Sequence, residues 1–373
     1  MSRRTRILLA AGAALVIAVV AVLLLTSGSD DEVDFAGMSM SPAEIREMTD
    51  DSMGTPRMSK VKLVRPGDRQ AELPYEVVKG VKVFELDAKP LRWEYRDGQS
   101  VAAWGYQQQV PGPAIRVREG DRVRIVVRNR LAEATTVHWH GVDVPFEQDG
   151  VPGVTQEAIP AGEDYTYEFT ATPAGTRFYH THGSSMRDEA RQLDMGLSGA
   201  LIIEPKVPAP VAAEVDETFV LDEWAVEDDG LNAAMMSGAG HAAHNAGFNV
   251  FTINGRAAPD FQPVKIKRGQ TVRLRFINAG SSATHPMHLH GHQFTVTALD
   301  GNPVPVASRQ DRNVITLAPG ETADVTFRAD NPGVWMLHCH ELHHADAGMM
   351  TLVEYDGFEA IGEGSDEDSG SEH

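Results

Sequence analysis

Only one cysteine, Cys339, occurs in the 373 residues, so no disulfide can close within the chain and the thiol must serve another purpose. Cationic residues are also short. Lys and Arg number 33 against 53 Asp and Glu, a net charge of −20, and no basic patch points to nucleic acid as a partner. Much of the negative charge sits in the tails, and EGSDEDSGSE at 363–372 reads as part of an acidic, disordered terminal segment, 358–373. Sustained helical periodicity is missing from the body of the chain. Long apolar runs are missing too, except at residues 7–25, which follow Arg3, Arg4 and Arg6. That run approaches the ~20 residues that span a bilayer, with its positive flank on the cytoplasmic side. No small-x-small cleavage site follows it. Residues 1–28 are therefore expected to anchor the chain in the membrane with the remainder outside the cytoplasm; secretion after cleavage is the alternative. Residues 29–70 would form a flexible stalk carrying Met38, Met40, Met48, Met53 and Met58.

The chain is rich in paired histidines. HCHELHHADAGM at 338–349 sets Cys339 between His338 and His340, with His344 and Met349 downstream. A thiolate, imidazoles and a weak thioether are the ligands of a blue copper centre. On a strand, successive side chains face opposite ways, so Cys339 would face one metal while His338 and His340 face another. Three more segments carry His-x-His: HWHG (His138, His140), FYHTHG (His180, His182) and HPMHLHG (His285, His288, His290). Side chains at i and i+2 share a strand face and can chelate together. One such pair is unremarkable on a surface; four of them beside a Cys/His/Met segment point to copper.

The sequence also repeats. IRVREGDRVRIVVRN (115–129) matches VKIKRGQTVRLRFIN (264–278), HWHG (138–141) matches HLHG (288–291), and His180-Thr181-His182 matches His338-Cys339-His340. Two homologous halves follow, each of domain size. Thr181 stands where Cys339 stands, and Met186 where His344 stands, so a blue-copper ligand set is confined to the second half. Eight histidines, four per half, are left for a shared cluster, enough for about three metals. Short alternating segments such as RVRIVVR (122–128), punctuated by Gly and Pro, predict a β-sandwich or Greek-key barrel in each half.

In these four segments the sequence resembles the multicopper oxidases, in particular the small two-domain, laccase-like members, over roughly residues 75–355. The resemblance implies an all-β chain of two cupredoxin-like barrels, here bounded as 71–207 and 208–357. It implies four coppers: a type 1 ion on His285, Cys339, His344 and Met349; a type 2 ion on His138 and His288; and a type 3 pair on His140, His180, His182, His290, His338 and His340. It further implies one-electron oxidation of phenolic or aromatic reductants coupled to four-electron reduction of O2 to water. Asp149, just before a Gly in QDGVPGVTQ, matches the family's proton-supplying acid, although an Asp-Gly turn explains it equally well. The linker PKVPAPVAAEVD (205–216) is short. The first-half histidines are thus expected to meet a neighbouring copy's second half in a closed ring, which the resemblance implies is a homotrimer.

Met235, Met236, His241 and His244 lie in a Gly/Ala-rich loop and suit Cu(I) capture, which would make the protein a cuprous oxidase; a loop with surface Met and His is the plainer reading. A copper nitrite reductase would need its blue-copper ligands in the first half, which lacks Cys. A simple electron carrier would leave eight histidines unused.

Overall fold

The computed structural model describes residues 61–67, 71–185, 188–207, 212–236 and 247–360, with a short antiparallel pair at Val33–Phe35 and Met38–Met40 inside the expected stalk. The expected anchor at residues 7–25 and the acidic tail from 361 lie outside the described residues. Among the described residues no helix is long and apolar enough to cross a membrane.

Alternation decides the strands. In Arg122–Asn129 every second residue is buried, and in Thr271–Asn278 the pattern starts the same way before both faces close over. The first half builds β1 (Val81–Arg96), β2 (Gln99–Tyr106), β3 (Gly112–Arg118), β4 (Arg122–Asn129), β5 (His138–His140), β6 (Asp164–Thr170), β7 (Gly175–His180), α1 (Glu189–Asp194) and β8 (Ser198–Glu204). The second half builds β9 (Val215–Trp224), α2 (Ala233–Met236), β10 (Val250–Ile253), β11 (Val264–Ile266), β12 (Thr271–Asn278), β13 (His285–Leu289), β14 (Phe294–Leu299), β15 (Val314–Leu317), β16 (Thr322–Arg328), β17 (Val334–Cys339), α3 (Leu342–Asp346) and β18 (Met350–Tyr355).

Each half is two packed sheets, and the strand orders coincide. One sheet runs β6-β4-β1-β2 in the first half and β14-β16-β12-β9-β10 in the second; the other runs β3-β8-β7-β5 and β11-β18-β17-β13-β15, so that β14 and β15 extend the shared order in the second half. The internal repeat is thus a repeat of topology, cupredoxin-like in both halves. Each barrel has its own core: Phe84, Trp104, Ile125, Trp139, Tyr167 and Tyr179 in the first; Phe276, Met287, Phe294, Val325 and Leu337 in the second.

The barrels share a seam as well. Leu91, Trp93 and Val101 pack with Trp224 and Val250 across it, and Phe178 and Ile202 pack with Val220 and Ile277. Polar bonds cross too: Trp93 Nε1 donates to the Gly255 carbonyl at 2.7 Å, and Thr176 Oγ1 to Asp324 at 2.6 Å. Buried Arg275 joins Asp216, Asp324 and Thr176 at the same place. Apolar area with satisfied charges fixes the two barrels relative to each other.

Candidate metal centres

The antiparallel register of β13 against β17 sets both environments of the second half. Met287 lies opposite Cys339, and His288 opposite His338. His285, two residues before Met287, therefore shares the Cys339 face and points into the core, while His288 and His338 share the opposite face. This is the two-faced arrangement expected of HCH. His340 follows the strand end, yet its ring lies 5.6 Å from that of His288 and 5.7 Å from that of His338.

On the core face, Cys339 Sγ lies 3.8 Å from His285 Nδ1 and 3.6 Å from His344 Nδ1. Cys339, His285 and Met349 are wholly buried. The Met349 carbonyl accepts from Cys339 N at 3.0 Å, which brings the thioether's residue to the pocket. Phe251 stacks on His344 with ring centroids 3.9 Å apart. The His344 side chain alone reaches solvent, at 16 % exposure. Burial pushes the Cys339 thiol up to about 11, so in the metal-free pocket it keeps its proton, and a cation must displace that proton to bind. Soft sulfur and two bare imidazole nitrogens within one buried cluster fit a copper ion.

The outer imidazole nitrogens are tied down. Nε2 of His285 faces Glu223 at 3.3 Å, and Nε2 of His344 faces Glu341 at 3.0 Å. At five of the other histidines Nδ1 is the tied atom. His138 Nδ1 donates to the Asp149 carbonyl and His288 Nδ1 to the Asn313 carbonyl, both at 2.7 Å. His180 Nδ1 and His338 Nδ1 donate to the carbonyls of Thr181 and Cys339, both at 2.8 Å. His182 Nδ1 lies 3.0 Å from Glu189. A proton held on one nitrogen leaves the other bare for a metal. His138 matches His288 and His180 matches His338 in these bonds, a geometric trace of the repeat.

The remaining faces form two open half-clusters. In the first half, His138, His140 and His180 bring ligand atoms within 4.8 Å, as do His180, His182 and Glu189. In the second, His290 Nε2 and His338 Nε2 are 3.1 Å apart. Burial drives the His140 imidazolium down to about 4, and neighbouring His138 adds to the shift. His290 and His338 shift down for the same reasons. Neutral imidazoles are the form that binds copper. Among the described residues, no potential metal-ligand group combines histidines of both halves.

The first half shows why it lacks a blue-copper pocket. Thr135 and Thr181 occupy the places of His285 and Cys339, and their hydroxyls lie 3.0 Å apart, both bonded to Gln192 Oε1. All three residues are fully buried. A closed hydrogen-bond network fills the space where a metal would sit.

Asp149 Oδ1 lies 3.3 Å from His138 Nδ1. It also starts a tight turn. Gly150 has φ +82°, and a Cβ there would stand 1.9 Å from the Val137 carbonyl oxygen. The backbone of Met235 and Met236 belongs to α2, while their side chains, and His241 and His244 altogether, lie outside the described residues. Sequence reasoning missed Glu189, Glu223 and Glu341. Glu341, N-cap of α3, was reachable from its place three residues before His344.

Comparison with known proteins agrees with this geometry. Two sequence families, both described as multicopper oxidase, match residues 87–208 and 232–357. The copper resistance protein A homolog of Pseudomonas syringae pv. tomato is 29 % identical over 295 residues, covering 67 % of this chain and 48 % of that protein. Laccase-6 of Oryza sativa subsp. japonica is 35 % identical over 246 residues, 61 % of this chain and 40 % of the relative. The chain thus spans less than half the length of these curated relatives. Among solved structures, the blue copper oxidase from Nitrosomonas europaea superimposes with a TM-score of 0.66 at 34 % identity, covering 73 % of this chain and 85 % of that one.

Proposed function

This chain belongs to the multicopper oxidases, and on that premise we propose that it is a laccase-like oxidase of phenolic or aromatic reductants that reduces O2 to water. The observation that carries the reading is the pair of metal environments joined through one peptide: Cys339 buried between His285 and His344, and His338 on the opposite face of the same strand. His285, Cys339, His344 and Met349 would hold the type 1 copper, His138 and His288 the type 2 ion, and His140, His180, His182, His290, His338 and His340 the type 3 pair. Copper at these places supplies one-electron oxidation at the first centre and four-electron reduction of O2 at the second.

The residues divide the remaining work. The partly open edge of His344 is the entry for electrons, and exposed Leu342 beside it gives an aromatic ring an apolar surface. The Cys339 carbonyl accepts from His338 Nδ1, so a hydrogen bond shortens the route from the Cys339 sulfur to the second centre. Asp149, 34 % exposed at the side chain and beside His138, relays protons to the cluster. Two half-clusters separate in one chain support completion by a second copy, head to tail, in a homotrimer. The apolar run at 7–25 supports a membrane-anchored protein with its barrels outside the cytoplasm.

Oxygen uptake on the copper-loaded protein tests the reading. One O2 consumed per four electrons from a phenol, without released peroxide, is expected; blue colour without O2 uptake would refute it. A second reading, oxidation of Cu(I), is favoured by relatives named copper resistance protein A. Faster uptake with Cu(I) than with phenols would decide for it.

A further inference from the structure

The two imidazoles of the blue-copper pocket differ in what stands behind them. Glu223, near the end of β9, is wholly buried. Its Oε1 accepts from Ser282 N and Ala283 N at 2.9 Å each, and its Oε2 lies 3.3 Å from His285 Nε2. All three donors belong to the segment that leads into β13 and to its first residue, and none is a Lys or Arg. Gly280 makes room for the carboxylate, since a Cβ there would stand 1.9 Å from Oε2. Behind His344, by contrast, Glu341 is 39 % exposed at its side chain.

Position and charge have separate consequences. A carboxylate bonded to Nε2–H fixes the imidazole tautomer, so His285 Nδ1 stays bare and aimed at Cys339 Sγ. A negative charge held without solvent, one imidazole away from the metal position, favours the more positive oxidation state, because little dielectric lies between them. Water screens the same effect at Glu341.

We infer that Glu223 is a positioning residue for the type 1 centre, a fixed buried carboxylate that locks His285 and lowers the centre's reduction potential. The reductants it suits are then the easily oxidised ones, catechol- and hydroquinone-type phenols, rather than non-phenolic aromatics. This inference rests on the copper assignment above.

The test uses the copper-loaded full chain and a redox titration of the blue absorbance against a one-electron mediator at fixed pH. Glu223→Gln keeps the shape and removes the charge. It is expected to keep the blue colour and to shift the equilibrium about tenfold towards the reduced centre, which is 59 mV for a one-electron couple. Glu223→Asp, which keeps the charge, should recover most of the wild-type potential. Glu341→Gln should shift it less, and by an amount that falls with added salt. A blue Glu223→Gln protein with the wild-type potential would overturn the inference. Absence of blue colour in the wild type would instead refute the copper assignment. Should Glu223→Gln fail to fold, the wild-type blue centre carries the test by electron–nuclear double resonance after transfer to D2O. One ligand imidazole should keep its outer N–H proton; prompt exchange at both would contradict a sealed Glu223–His285 bond.

Discussion

On the proposed assignment His338, Cys339 and His340 would serve two metal environments from consecutive positions, so single substitutions there should separate the functions. Cys339→Ser is expected to abolish the blue colour and substrate oxidation while the second centre keeps its copper by metal analysis. Blue absorbance surviving that change would refute the thiolate assignment. The candidate ligands were legible in the sequence because metal binding restricts residue type, and because i, i+2 spacing on a strand leaves a visible mark. The residues behind them were not. Glu223 lies 62 residues from His285, and Glu189 approaches His182 only because α1 folds back over the half-cluster. Carboxylates are common, and no local spacing sets these apart. Thr135 and Thr181 were half legible: the repeat exposed Thr181 as the substitute for Cys339, but only the fold shows that Gln192 closes the pocket.

Individual elements are held in place by recurring polar anchors. Asn129 and Asn278, matched in the repeat, are both fully buried. Asn278 Nδ2 donates to the carbonyls of Ala283 and Leu317, and its Oδ1 accepts from Gly280 N. Asn129 does the same for Ile159, Pro160 and Leu131. Each closes the loop that precedes its half's ligand strand. Asn278→Ala removes three bonds, two of them buried, at about 1 kcal/mol apiece, so a loss of about 3 kcal/mol is expected in chemical denaturation. A loss below about 1 kcal/mol would mean that water replaces the side chain. The alternation of β4 and β12 was readable directly. The parallel pairing of β8 with β3 and of β9 with β12 was not, because partner choice depends on contacts remote in sequence.

At the scale of the whole molecule, the seam between barrels carries buried charge of two kinds. Burial alone would raise Asp216, but Arg275 and Arg273 reverse this and hold it at about 2. Asp194, at the end of α1, has no such cation. Burial raises it to about 7, with the charge of Glu223 adding to the shift and a bond from Ser281 opposing it. Its folded value lies above the unfolded 3.8, so the folded chain binds the extra proton and stability falls as pH rises from about 4 to 7. Full ionisation costs roughly 4 kcal/mol by that shift. Asp194→Asn should therefore raise Tm at pH 8 more than at pH 5; equal effects at both would show that Asp194 does not titrate in this range. The two-barrel plan was legible from the repeat, whereas the seam was not, because Trp93 with Gly255 and Thr176 with Asp324 are partners only after folding.

An oxygen-reducing site completed by histidines of two chains, as proposed, is tested most directly by mixed assembly. His180→Ala disables the first half-cluster and His338→Ala the second, so each variant alone should consume no O2. Co-assembled in equal amounts in a head-to-tail ring, about a quarter of the interfaces would pair two intact halves. The account predicts O2 uptake restored to about that fraction of wild type. Mixed assemblies that stay inactive, or a copper-loaded monomer that reduces O2 unaided, would contradict it.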